Sequence, residues 1–504
     1  MNRGAFVKQF LLRCFSIVIP LCALFAASAF GADEAPPAPR ISPEISYARV
    51  LLADTLCKGE TLEPTTKKEK GKTVIAERPV ILCAYKESDK SWHVVKLLVQ
   101  YPLPDCFRKT RLVDRHDQCG AFPFRTLTPE YGVEHVSGLG IPRLVFSASH
   151  QGEPLKIYRY RHIWFADHMT PVSPAAEMLA KAVWIEHTPY AKEFHDDEHV
   201  RAGAQFLYGK IVAAQNELRT AGLVSRTYPP LLVADVVSWK HLMNLGLIEQ
   251  MDHDSFNGFG VCLSPDERGI PEDEIGRRIL CKEESARKTT EAILVEYALN
   301  REQSFRYSIS SARAVGPYQF TDRGGNGTYA MVVRECKAAQ LIPSFMDGAT
   351  DLGNVIKAAA CLLDLELAGL PPAVQLLYAT NPRIGGIYPV AAYNEGGGGA
   401  RELYRRIQAS KIDLAVFSDE AFELPRKVFD RSRECVGCRK GGSQRARTIF
   451  NEETYMYIKK YLYVWKFVDE LALDGTPVSR RQTPSRSEER RVGKECRSRW
   501  SPYH

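Results

Sequence analysis

At 504 residues the chain is too long for one compact core, so two or three folding units are expected. Its formal net charge is +7, but residues 1–31 and 486–504 each contribute +3, leaving about +1 for the rest. That balance excludes the global basic field of a nucleic-acid-binding protein, and no nucleic-acid partner is expected.

Residues 1–31 read as a secretory signal peptide. Arg3, Lys8 and Arg13 precede an apolar run, Phe15 to Ala27, and Ala29-Phe30-Gly31 supplies small residues for cleavage. An uncleaved anchor is the alternative; Leu21 before Cys22 argues against a lipoprotein signal. The expected location is the periplasm, with no membrane span after cleavage. Residues 32–45, containing Asp33 to Arg40, form a linker.

Residues 46–165 carry a strand-like pattern: Val74 to Tyr85, His93 to Tyr101, Leu144 to Ser147 and Ile157 to Trp164. Omitting Cys14, Cys22 and Cys496 leaves ten of 13 cysteines, in five sequence-near pairs: Cys57 and Cys83, Cys106 and Cys119, Cys262 and Cys281, Cys336 and Cys361, Cys435 and Cys438. After an export signal, nearest-neighbour disulfides are the simplest expectation. Cys435 and Cys438 also match a redox or half-zinc spacing, but no second such pair accompanies them.

Residues 166–284 change period. Ala175 to Glu186, Val200 to Leu218 and Pro229 to Ile248 predict helices, and Asp252 to Arg277 predicts a long loop bounded by Cys262 and Cys281. Residues 285–473 predict a helix from Ser285 to Asn300 that delivers Glu302. Further helices are expected at Leu352 to Leu367, Pro372 to Ala379, Ala400 to Gln408 and Glu453 to Leu473. Thr380 to Pro389 reads as a loop and Gly396 to Gly399 as a turn. Residues 474–485 form a tail. Arg486 to His504 resembles the translation of a short-read sequencing adapter, whose codons AGA TCG GAA GAG CGT CGT read Arg-Ser-Glu-Glu-Arg-Arg; this segment is expected to be an assembly artefact. The fold class expected is α+β: a disulfide-stapled β-rich N-terminal part followed by a mainly helical one.

The chemistry-bearing stretches are Glu302 to Gln319, then Ala392-Tyr393-Asn394-Glu395-Gly396, then Glu453-Thr454-Tyr455-Met456-Tyr457. With Phe305, Gly316-Pro317-Tyr318-Gln319 and Asn354 between them, this order resembles the soluble-lytic-transglycosylase catalytic domain of lysozyme-like fold, over roughly Glu291 to Phe467. Gln303 replaces the family's serine after the catalytic glutamate, Pro317-Tyr318 replaces Leu-Met, and the stretch is one residue short, so Ser310 and Ser311 both remain candidates for the motif serine.

The resemblance implies a peptidoglycan glycan strand as partner and a single catalytic glutamate, Glu302. That glutamate acts first as acid, then as base on the 6-hydroxyl of N-acetylmuramic acid, closing a 1,6-anhydro ring without a cofactor. It further implies sugar-binding or orienting roles for Ser310, Ser311, Gln319, Tyr393 and Asn394. Phe305, Tyr318 and Tyr393 suit apolar walls that would raise the pKa of Glu302. Gln319 and Asn394 also suit buried amides that hold loops. Three other readings stand beside this one. Asp322 as a second carboxylate would make a hydrolytic muramidase. A degenerate site would leave a peptidoglycan-binding scaffold whose β-rich part recruits an envelope protein. His195 and His199 at i,i+4, with His187, resemble a zinc set, although an acidic helix start explains the same residues. No metal is expected.

Overall fold

The structure, a computed structural model, describes residues 41–104, 106, 119–136, 145–165, 173–251, 272–310, 312–412, 414, 426–433 and 447–475. The signal segment, most of the linker, Ser311, Cys262, Cys435, Cys438 and the adapter-like end lie outside the described residues, as does the side chain of Cys281.

The β-rich part opens with a helix, α1 (Pro43–Gly59), where linker and strand were expected. Its buried positions Ser46, Val50, Ala53 and Cys57 follow helical spacing. Ile45, Leu51, Leu52 and Leu56 are exposed, so apolar residues occur on both faces and blur the period in the sequence.

Eight antiparallel strands follow: β1 (Thr65–Glu69), β2 (Lys72–Lys86), β3 (Ser91–Gln100), β4 (Phe124–Thr126), β5 (Tyr131–His135), β6 (Phe146–His150), β7 (Glu153–Trp164) and, after α2 (Ala175–Ala180), β8 (Val183–His187). Their order is β4-β3-β2-β7-β6-β5, with β1 on β2 and β8 on β7. The helix expected over Ala175 to Glu186 therefore stops after two turns and becomes a strand, as the β-branched Val183 and Ile185 favour. The sheet curls toward closure: Phe124 of β4 meets Phe146 of β6 at 5.1 Å between ring centroids, and Phe122 stacks on His135 of β5 at 3.7 Å.

Alternation along β2 gives the sheet two apolar faces. Val80, Leu82 and Ala84 face a core inside the curl with Leu97, Phe146 and Tyr160. Ile81, Cys83 and Tyr85 belong to the larger core that runs through α1 and the helices beyond. Disulfides join Cys57 to Cys83, Cys106 to Cys119 and Cys336 to Cys361, as nearest-neighbour pairing predicts. Such bonds belong to an oxidising compartment outside the cytoplasm. Among the described residues no helix is long and apolar enough to cross a membrane.

The helical part comprises α3 (Asp197–Thr220), α4 (Trp239–Gln250), α5 (Glu272–Asn300), α6 (Thr328–Glu335), α7 (Phe345–Thr350), α8 (Leu352–Ala368), α9 (Pro372–Thr380), α10 (Ile387–Glu395), α11 (Gly397–Ala409) and, after a hairpin of β9 (Asp430–Arg433) and β10 (Arg447–Phe450), α12 (Glu452–Glu470). Helix α5 begins inside the expected loop. The expected loop from Thr380 to Pro389 contains a helical turn and the start of α10, so Tyr393 and Asn394 sit on a helix.

A buried polar knot joins sheet to helices. Arg159 of β7 reaches Asp54 of α1 at 3.2 Å and Asn300 of α5 at 3.1 Å. Asn300 also accepts from the backbone N–H of Thr188 and donates to its carbonyl, both at 2.7 Å.

Candidate acid–base site

Glu302 lies in a single 3-10 turn just past α5. Its side chain is 54% exposed and pairs with Lys210 of α3 at 2.7 Å. Partial burial pulls its carboxyl upward, but the Lys210 bond and nearby positive charge prevail and hold it below the ordinary glutamate range. That is the opposite of what a general acid needs near neutral pH. Phe305, expected as a wall of the site, packs edge-on against Tyr297 of α5 at 5.2 Å. Among the described residues, none of the other motif side chains hydrogen-bonds to Glu302.

The motif turn itself is well formed. Gly316 has φ +83°, and a Cβ there would lie 2.0 Å from the carbonyl oxygen of Ala349, so only glycine fits. Gln319 donates through Nε2 to Gly316 O at 2.7 Å and to Ser308 Oγ at 2.8 Å. Ser308, not singled out in the sequence, is thus the buried serine bonded to the motif glutamine. Ser310 closes a local turn, its Oγ accepting from Ala314 N at 3.0 Å. Asn354 ties loops together, accepting from Ile342 N and donating to Tyr329 Oη and Gly348 O. Asp322 accepts from Gly325 N within a turn.

From this turn the contacts lead to α4. Tyr318 is fully buried and donates to Leu242 O at 3.0 Å. Its ring passes so near Gly246 that a Cβ there would sit 2.9 Å from it. One turn later comes Glu249, the residue that the sequence reading did not single out. The next residue, Gln250, is buried and donates through Nε2 to Pro317 O at 2.8 Å and Gly316 O at 3.1 Å, fastening the end of α4 to the motif turn.

The other two motifs arrive at the same place. Tyr457 of α12 donates to the Glu249 carboxylate. Tyr393 of α10 donates to Tyr318 O at 2.6 Å and packs on Phe320 at 6.0 Å. Thr454 of α12 donates to Asn394 Oδ1 at 3.1 Å and also contacts Glu395. Burial pushes the Glu249 carboxyl up to about 7, against the lowering effects of the Tyr457 hydrogen bond and Lys460 and with the help of Glu453. Burial likewise drives the Tyr393 and Tyr457 hydroxyls well above their ordinary value, so both remain neutral donors. A carboxyl half-protonated near neutral pH can deliver a proton and take one back. The signal available in the sequence was a lone glutamate ending an apolar run, Leu245-Gly246-Leu247-Ile248. The close spacing of Glu302 to Gly316 outweighed it.

The histidines do not converge. Asp196 caps α3 by accepting from His199 N at 2.8 Å, so His195 lies outside the helix and the i,i+4 geometry is not formed. His199 bonds Asp196 and Ser46, His195 bonds Tyr190 and Glu291, and His187 is buried in the sheet. Among the described residues no group of three or more His, Cys, Asp or Glu is arranged to hold a metal ion.

Comparison of the chain with protein-family models, with curated proteins and with solved structures finds no match.

Proposed function

We propose that the chain is a peptidoglycan lytic transglycosylase of the periplasm in which Glu249, rather than Glu302, is the acid–base group. The observation that carries this reading is the meeting of three sequence-distant motifs at one carboxyl. Gly316 to Gln319 is bound to Gln250, Tyr393 is bound to Tyr318, and Tyr457 is bound to Glu249 itself. In the reaction, protonated Glu249 gives its proton to the glycosidic oxygen as the bond from C1 of N-acetylmuramic acid to that oxygen breaks. The resulting carboxylate takes the proton of the 6-hydroxyl as O6 bonds to C1. The proton balance of the enzyme is thereby restored, and the product is a 1,6-anhydro end. Asn394 supports the site through its bond to Thr454 of α12 and Gln319 through the motif turn, and the polar ends of Tyr393 and Tyr457 border it.

The test is mass spectrometry of soluble products from bacterial sacculi incubated with the purified protein and with Glu249→Gln and Glu302→Gln. The reading requires 1,6-anhydro products from the wild type, a loss on the order of a thousandfold in Glu249→Gln, and activity retained in Glu302→Gln. Reducing ends, one water heavier, would make it a hydrolase. No release from folded protein that still binds sacculi would make it a scaffold for an envelope partner. The reverse ranking of the two variants would return the acid role to Glu302.

A further inference from the structure

Helix α12 presents two polar side chains to the end of α4, one turn apart on one face: Tyr457 and Lys460. Tyr457 reaches the Glu249 carboxylate, and Lys460 donates through Nζ to the carbonyl oxygen of Met251 at 2.5 Å, two residues after that glutamate. Lys460 is only 7% exposed. Its neighbour Lys459 behaves differently, lying over the ring of Tyr455 at 4.2 Å. A buried ammonium is retained in a fold only where carbonyls or opposite charge compensate its lost hydration. Here one compensating group, the Met251 carbonyl, belongs to the segment that carries Glu249.

We propose that Lys460 is a positioning residue of the acid–base site: it holds the end of α4 through the Met251 carbonyl and sets a fixed positive charge beside the Glu249 carboxylate. The inference rests on the reading of Glu249 as the acid–base group. Among the described residues, the titratable and charged groups that face Glu249 are Tyr457, Lys460 and Glu453 from α12 and Tyr393 from α10. Burial and Glu453 favour the protonated carboxyl; Tyr457 and Lys460 favour the ionised one. Lys460 thus keeps the carboxyl able to lose its proton as well as to hold it, which a group that must act in both directions requires.

The experiment compares pH–rate profiles of product release for the wild type, Lys460→Met, Lys460→Gln and Lys460→Arg. In parallel, the Glu249 carboxyl is titrated by carbon NMR, identified as the resonance missing in Glu249→Gln. Loss of the charge is expected to move the alkaline limb and the NMR midpoint upward by about one pH unit, and Lys460→Arg is expected to return both toward the wild type. Lys460→Gln keeps a donor toward Met251 in case Lys460→Met does not fold. A midpoint unchanged in the folded charge-free variant, whatever its rate, overturns the proposal and leaves Lys460 a structural tie. A wild type that releases no product, with a midpoint that still moves, sinks the functional reading while the electrostatic pairing stands.

Discussion

Replacing Glu249 with glutamine removes a titration without removing a side chain. Burial raises the wild-type carboxyl from 4.5 to about 7. Below pH 4.5 the carboxyl is protonated in both folded and unfolded chains, and its neutral form is held at no electrostatic cost. As the pH rises toward 7 the unfolded chain ionises first and the folded chain loses relative stability. Above 7 the folded chain must carry the ionised group, and the accumulated loss amounts to roughly 3 kcal/mol, an upper figure for a partly buried side chain. Glutamine does not ionise, and its carbonyl can accept the Tyr457 hydroxyl in place of the carboxylate. Glu249→Gln is therefore expected to match the wild type within about 1 kcal/mol near pH 4.5 and to exceed it by about 2–3 kcal/mol at pH 8. Urea unfolding at pH 4.5, 6, 7 and 8 with the disulfides intact measures this directly. Glu296 of α5, also raised by burial to about 8, titrates in both proteins and cancels from the difference. A stability difference that stays constant with pH, or shrinks as pH rises, would refute the placement of Glu249 in a poorly solvated pocket.

Glu302→Gln breaks an exposed pair with Lys210, so unfolding stability should change by less than about 1 kcal/mol, and a larger loss would mean that the turn after α5 depends on that pair. Gly246→Ala would press a methyl against the ring of Tyr318, so we expect about 1–3 kcal/mol of destabilisation. Product release should fall with it, because Tyr318 anchors the turn that Gln250 holds. Cys361→Ser frees Cys336 and opens the link between α6 and α8, a change expected to lower stability by about 3 kcal/mol in denaturant melts. Asn300→Ala leaves Arg159 and both polar backbone groups of Thr188 short of partners, so a loss of several kcal/mol is expected; a loss below about 1 kcal/mol would show that the knot between sheet and helices is replaceable.

Much of the architecture follows from local sequence alone. Valine-, isoleucine- and leucine-rich runs such as Val74 to Tyr85 could only be satisfied in a sheet apolar on both sides. The runs with helical spacing over 200–218 and 352–367 became α3 and α8 with little change. Sequence-near cysteines placed at Cys57 and Cys83 or Cys336 and Cys361 needed short chain closures to meet, which made the simplest pairing the right one. Where local signals conflicted, reading by pattern failed. Helix α1 carries leucines on its outer face, β8 follows a helical turn without a break, and α10 begins inside a Gly- and Pro-rich stretch.

The residue types of the candidate site were legible too: an amide after a tight Gly-Pro turn, a Tyr-Asn pair, a closing helix dense in tyrosine. Their physical chemistry is written in side chains that combine an apolar body with a polar tip, and the sequence determined that such groups occur and in what order. It did not determine which carboxylate they surround. Glu302 comes just after α5 and Glu249 just before the end of α4, and nothing within a few residues of either distinguishes a solvated carboxylate from a desolvated one. That difference arises only when α4, α10 and α12 pack together, placing Tyr457 on Glu249 and leaving Glu302 beside Lys210. Proton affinity depends on the water excluded and the charges brought near by distant parts of the chain, and so only the tertiary structure could decide it.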